Sequence, residues 1–237
     1  MAPSTDRATR SAMRWVAWAV MSVVACSALA ACSPSAGSVQ DQASSPPATS
    51  ASPDPTTPSV LPSFAAVGDS ITDANSPDLP GGDLGTESWT TYVVAAGFEF
   101  AGGWAEWGAP TSLMADSVTA YDADVLVLLA GTNDVALGRP FAESAANLDR
   151  IVATVGIDAV VVSSIPPMDA LPDGAAQYNA QLESLAADRG WRFVDASAGL
   201  RTADGRFLEG MSYDGLHPTE QGAQVLGEGI AAVLPGS

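Results

Sequence analysis

Short apolar runs and stretches of helical periodicity alternate along the last three-quarters of this chain. Phe64-Ala65-Ala66-Val67 is ended by Gly68, and the continuous run Val125 to Ala130 is ended by Gly131. Ala159-Val160-Val161-Val162 leads into two serines, and Arg192-Phe193-Val194-Asp195 follows. Runs that are apolar on both faces read as buried parallel strands. A fifth strand is expected near Phe98-Glu99-Phe100. Between the strands, Ser88–Ala96 reads as a helix capped by Ser88. Phe141–Val155 carries Leu148, Ile151, Val152 and Val155 at helical spacing and stops at Gly156. Ala175–Arg189 carries Tyr178, Leu182 and Leu185 before Gly190, a helix terminator. Thr219–Leu234 places Val225, Leu226, Ile230 and Val233 on one stripe. This alternation predicts one α/β domain over residues 63–237, a three-layer α/β/α sandwich with a mainly parallel sheet of about five strands. The ligand crevice of such a sheet lies at the carboxyl ends of its strands.

The first quarter follows different rules. Arg7, Arg10 and Arg14 precede seventeen uncharged residues, 15–31, whose end leads into Cys32 as Leu29-Ala30-Ala31-Cys32. A basic segment followed by an apolar one is the pattern of an export signal. The end of the run resembles a bacterial lipobox, which implies a signal peptide over residues 1–31 and a lipidated N-terminal Cys32. Val23-Val24-Ala25-Cys26 fits loosely, but cleavage there would leave a shorter apolar core, so Cys32 is favoured. An uncleaved anchor is the rival reading, and seventeen residues are at the short limit for a span. Either way, the body is expected outside the cytoplasm and tethered to a membrane. From Cys32 to Pro62 the chain is dominated by Ser, Pro, Ala and Thr, too poor in large apolar groups to offset the entropy of ordering. It reads as a tether spanning roughly 30 Å or more.

Charge narrows the partners. The 237 residues hold nine Arg, no Lys and 27 acidic residues; beyond Cys32 there are six Arg against 26 acids, a balance of −20. A surface this acidic argues against nucleic acid, whose phosphates need basic patches. It also disfavours strongly anionic ligands. With Cys26 removed in the signal, Cys32 has no intramolecular disulfide partner. No His or Cys cluster supports a metal site, and no cofactor is expected.

The candidate chemistry lies in turns after these elements. Ser70, in Gly68-Asp69-Ser70-Ile71-Thr72, follows the first strand. Asn133, in Gly131-Thr132-Asn133-Asp134, follows the long apolar run. Asp214-Gly215-Leu216-His217-Pro218 precedes the last helix and holds the only histidine in the chain. Acyl transfer to a serine needs a base, an acid that orients the base, and donors for an oxyanion. Ser70 can be that serine, His217 the base and Asp214 the orienting acid, and the Asn133 amide can donate to an oxyanion. Bland alternatives exist for each: Ser70 as a helix cap, His217 before Pro218 as a helix-entry residue, Asn133 as a turn residue. Asp69 and Asp134 read as supports for their loops. Trp104 and Trp107 read as packing groups or as the wall of a pocket, and the loop Asn75–Gly85 as its edge.

The three blocks, in this order and over roughly Phe64–Leu234, closely resemble those of the SGNH (GDSL-type) hydrolases. The resemblance implies a flavodoxin-like sheet and a serine esterase with catalytic Ser70, Asp214 and His217. It implies an oxyanion hole of the Ser70 N–H, the Asn133 side chain and a glycine N–H. Gly108, in Trp104-Ala105-Glu106-Trp107-Gly108-Ala109-Pro110-Thr111, is the first choice for that glycine and Gly103 the second. Pro110 departs from the small or acidic residue usual there. A small-molecule, glycan or lipid ester is the expected substrate, and a monomer tethered to the membrane through its N-terminal lipid the expected state. Transfer to a sugar hydroxyl, deacetylation of envelope glycans and a non-catalytic binding module are the alternatives. The Gly-x-Ser-x-Gly elbow of the larger α/β-hydrolases is absent.

Overall fold

A computed structural model describes residues 62–236. The expected signal, Cys32 and all of the linker but Pro62 lie outside them. Five strands form one wholly parallel sheet: β1 (Ser63–Gly68), β2 (Glu99–Ala105), β3 (Val125–Leu129), β4 (Val160–Ser163) and β5 (Arg192–Val194), in the order β2-β1-β3-β4-β5.

The strands are buried on both sides because successive side chains point to opposite faces. Ala65, Val67, Leu126, Leu128, Val160 and Val162 face one core. There they meet Met114 of α3 (Thr111–Ser117), Leu148 and Ile151 of α5 (Phe141–Val155), and Tyr178 and Leu182 of α6 (Pro172–Arg189). Phe64, Ala66, Val125, Val127, Leu129 and Val161 face the other core. Opposite them stand Trp89 and Val93 of α2 (Trp89–Ala95) and Leu226 and Ile230 of α7 (Glu220–Ala231). The described domain is therefore the three-layer sandwich that the alternation predicts. Two short helices complete it, α1 (Ser70–Asp73) and α4 (Thr132–Ala136). Among the described residues, no helix is long and apolar enough to cross a membrane.

Two elements depart from the expected bounds. α6 begins one turn before Ala175, with Pro172 in its first turn, where a missing N–H costs nothing. β2 runs on to Ala105, well past Phe100. Its extension passes through Gly103, where a Cβ would lie 2.2 Å from the Ala66 carbonyl oxygen. Glycine there allows close pairing with β1 but erases the apolar signature of a strand.

The topology fixes the site. β1 lies between β2 and β3, so the chain leaves β1 toward one edge and returns to β3 on the other side. The carboxyl ends of β1 and β3 therefore flank the point where the winding reverses, the usual crevice of an open α/β sheet. Gly68 is in register with Ala105 and with Leu129, so the turns after β1, β2 and β3 start at one level.

Candidate active site

Ser70 is the first residue of α1, two residues past the end of β1. The turn is tight: a Cβ on Gly68 would fall 2.0 Å from Thr72 Oγ1 and 2.7 Å from the Leu129 carbonyl oxygen. Asp69 caps the helix, its Oδ1 accepting from the Ile71 N–H at 3.0 Å. Ser70 is buried, yet its Oγ stands 3.0 Å from His217 Nε2.

The His217 ring is oriented by its own loop. Asp214 Oδ1 accepts from the backbone N–H of Leu216 (2.9 Å) and of His217 (2.7 Å), closing a turn on itself. Its Oδ2 is left to meet His217 Nδ1 at 2.8 Å. Ser212 Oγ donates to the His217 carbonyl at 2.7 Å and accepts from the Gly215 N–H at 2.9 Å. The Asp169 N–H donates to the Gly215 carbonyl at 2.8 Å. Ser70, His217 and Asp214, 147 residues apart at the extremes of the domain, thus form one hydrogen-bonded chain. Partial burial pushes the Asp214 carboxyl up, but hydrogen bonds from the backbone and ring of His217 and from Leu216 outweigh it and hold the group below its ordinary value.

Asn133 lies in the first turn of α4. Its Nδ2 donates to Asp69 Oδ2 (3.3 Å) and to the Ala109 carbonyl (3.2 Å). Both bonds are long and both amide hydrogens have internal acceptors, so an oxyanion would have to displace or share one of them. Gly108 occupies the exposed turn after β2, at φ +74° with open space where a Cβ would stand. Gly103 is buried within β2 opposite Ala66, short of the strand end that leads to the site. Of the two glycines, Gly108 is the one at the level of the other turns. Pro110 is the N-cap of α3 at φ −76°, an ordinary angle for proline.

The aspartates that read as loop supports are tied down as supports. Buried Asp134 accepts from the Thr111 N–H, Thr111 Oγ1 and Ser144 Oγ at 2.7–2.9 Å, fastening α3 to α5 behind the Gly108 turn. Asp69 is fully buried, and that burial pushes its carboxyl from 3.8 to about 6, against the Ile71 N–H and the attraction of His217. A carboxyl whose folded pKa is raised retains protons that the unfolded chain has lost, so its contribution to stability falls as pH rises from about 4 to about 6. Asp69→Asn cannot ionise and escapes that loss. The urea-unfolding free energy of the variant, relative to wild type, is expected to improve between pH 4 and pH 7 by up to about 3 kcal/mol. A pH-independent difference would show that Asp69 does not titrate in this window.

Beside this chain lies a cleft of about 240 Å³, walled by Ile71, Ala74, Asn75, Glu87, Trp107 and Tyr213. Trp107 therefore serves as a wall, whereas Trp104, three residues earlier on β2, packs against the core. Glu87 is held by Asn75 Nδ2 (3.1 Å) and by the Tyr213 hydroxyl (2.7 Å). Asn75 belongs to the loop expected to edge the pocket. Glu87 and Tyr213 were not legible from any motif. A second depression of about 230 Å³ beside α6 is lined by Ile165, Phe193, Asp195 and Arg201 and does not include Ser70; its two charged groups just named already pair with each other.

No match to this chain was found among curated proteins. Solved structures similar to it share its fold. A catalytic mutant of an acetylxylan esterase from Geobacillus stearothermophilus is 19% identical, with a TM-score of 0.61 over 74% of this chain and 95% of that one. A member of the lipolytic protein G-D-S-L family from Veillonella parvula is 22% identical, with a TM-score of 0.56 over 72% and 97%. A GDSL-like lipase from Bacteroides thetaiotaomicron is 18% identical, with a TM-score of 0.54 over 72% and 86%. The model of the GDSL-like Lipase/Acylhydrolase family matches residues 66–225, from within β1 to the middle of α7. That match covers more than half of the chain and all three motif blocks, and the chain belongs to this family.

Proposed function

We propose that the protein is a serine esterase that hydrolyses carboxylic esters through an acyl-enzyme. The observation that carries this reading is the hydrogen-bonded chain from Ser70 Oγ through both nitrogens of His217 to Asp214. Ser70 Oγ attacks the ester carbonyl while its proton passes to His217 Nε2. Asp214, on Nδ1, keeps the useful tautomer and stabilises the imidazolium. The alkoxide leaves with the proton from Nε2, and Ser70 remains acylated. Water then attacks the acyl carbon, gives its proton to Nε2, and frees the carboxylic acid as Ser70 takes that proton back. The Ser70 and Gly108 N–H groups and Asn133 Nδ2 supply the oxyanion donors, Asn133 at the expense of its bond to Ala109.

We place this activity outside the cytoplasm, on a chain held at the membrane by lipidated Cys32. The basic and apolar leader and the Ser/Pro/Ala/Thr tether support that placement. Acetylated glycans and lipids of the cell envelope are the esters it would bring within reach. The mechanism sets the pH dependence: an imidazolium cannot accept the Ser70 proton, so kcat/KM for a small aryl ester falls about tenfold per pH unit on the acid side. A profile that stays flat as the imidazole protonates overturns the assignment of His217 as base.

A further inference from the structure

Trp107 is not placed by core packing. It is half exposed, in the turn that follows β2, and its Nε1–H donates to Asp73 Oδ2 at 2.6 Å. Asp73 is the last residue of α1, the helix that Ser70 begins, so the indole is tied to the same short element as the serine. Its ring lies 5.1 Å from the His217 ring, centroid to centroid, with the planes 32° apart. An exposed tryptophan pinned at its edge and laid along the only imidazole of the chain has a chemical use. A positive charge within about 6 Å of an indole centroid is stabilised by the electron-rich face. An anionic acceptor on Nε1–H draws that proton and makes the face more electron-rich.

Resting on the reading of His217 as base, we infer that Trp107, anchored by Asp73, is a positioning residue for His217. It holds the imidazole edge toward Ser70 and stabilises the imidazolium that forms as Nε2 takes the serine proton. The role belongs to the indole face, which the Nε1–H bond to Asp73 orients and makes more electron-rich. The other groups that act on the ring are Asp214 on Nδ1, Ser70 on Nε2 and the buried Asp69 carboxyl, with Glu87 and Tyr213 on the walls of the same cleft. Asp73 loses its indole partner when Trp107 is replaced, and loses it alike in Trp107→Leu and Trp107→Phe, so the comparison of these two variants isolates the π face.

One observable separates this role from simple cover. Removing an apolar cover rehydrates the imidazole and favours its charged form, moving its titration to higher pH. Removing a π face that stabilises the cation moves it lower. Because His217 is the only histidine, the ring protons of the full chain, purified without a histidine tag, give one imidazole signal to follow by NMR. In Trp107→Leu that titration is expected about 0.4–0.7 of a pH unit below wild type. Trp107→Phe, which keeps a π face, is expected to recover at least half of the difference. The acid limb of kcat/KM should move in step, with kcat reduced roughly three-fold at its plateau. The titration can be repeated in a Ser70→Ala background, where it needs no turnover, so its failure is distinct from failure of the esterase reading. A shift to higher pH, no shift, or a Trp107→Phe variant indistinguishable from Trp107→Leu overturns the inference.

Discussion

Ser70→Ala lowers kcat/KM for a small aryl ester by roughly 10⁴- to 10⁶-fold, and His217→Ala by a similar factor. The expectation follows from how the pair is built. Ser70 Oγ stands 3.0 Å from His217 Nε2, the proposed base, and the ring is held from behind by Asp214 at 2.8 Å. A serine hydroxyl without a base is a poor nucleophile near neutrality, and a base without the serine has no acyl-enzyme to form. The two losses therefore do not add: the double variant is expected within a few-fold of either single one. No other histidine exists to take over the proton. Steady-state turnover of one aryl acetate by the three variants makes the comparison. A single variant that keeps more than about a tenth of wild-type activity would remove its residue from the mechanism.

Gly131→Ala is expected to be the most damaging one-methyl change near the site. Gly131 sits between β3 and Asn133 at φ +125°, in a region that side-chain-bearing residues avoid. A Cβ there would stand 2.2 Å from the ring carbon Cζ of Tyr178 and 2.3 Å from its hydroxyl oxygen. Tyr178 cannot yield easily, because it is buried in α6 and its ring packs edge-on against Phe141 at 5.1 Å. Backbone strain and overpacking together should cost about 2–5 kcal/mol, read as a lowered urea midpoint. Turnover should fall as well, since Gly131 is the N-cap of α4, which carries Asn133. Adding Tyr178→Ala removes the clash but not the φ strain, so the double variant should lose less than the two single costs combined. Stability within 0.5 kcal/mol of wild type for Gly131→Ala would mean that the turn relaxes freely.

Long-range convergence and local motif were legible to different degrees. The strands were readable because burial on both faces leaves unbroken apolar runs, as in Val125–Leu129. β2 was readable only at its start, since Gly102 and Gly103 carry no apolar signal, and close approach to Ala66 decides its path. Asp214 and His217 could be placed together because three residues of one turn span the distance. Their meeting with Ser70 needed the sheet: parallel strands with turns at one level bring residues 147 positions apart back to a hydrogen bond. The cleft walls were the least legible part. Trp104 and Trp107 are the same residue type three positions apart, and only the end of β2 separates a core side chain from an exposed one. Glu87 and Tyr213 belong to loops without periodicity, and their pairing across 126 residues leaves no local trace. The internal bonds of the Asn133 amide were equally hidden, because they depend on where the Ala109 carbonyl points.

The measurement closest to the central claim is mass spectrometry of the full chain after reaction with a fluorophosphonate, which phosphonylates a serine activated by an adjacent base. One adduct per chain, carried on the peptide that contains Ser70 and lost in Ser70→Ala and in His217→Ala, is the predicted result. No adduct, an adduct on another serine, or labelling that persists without His217 would contradict the account.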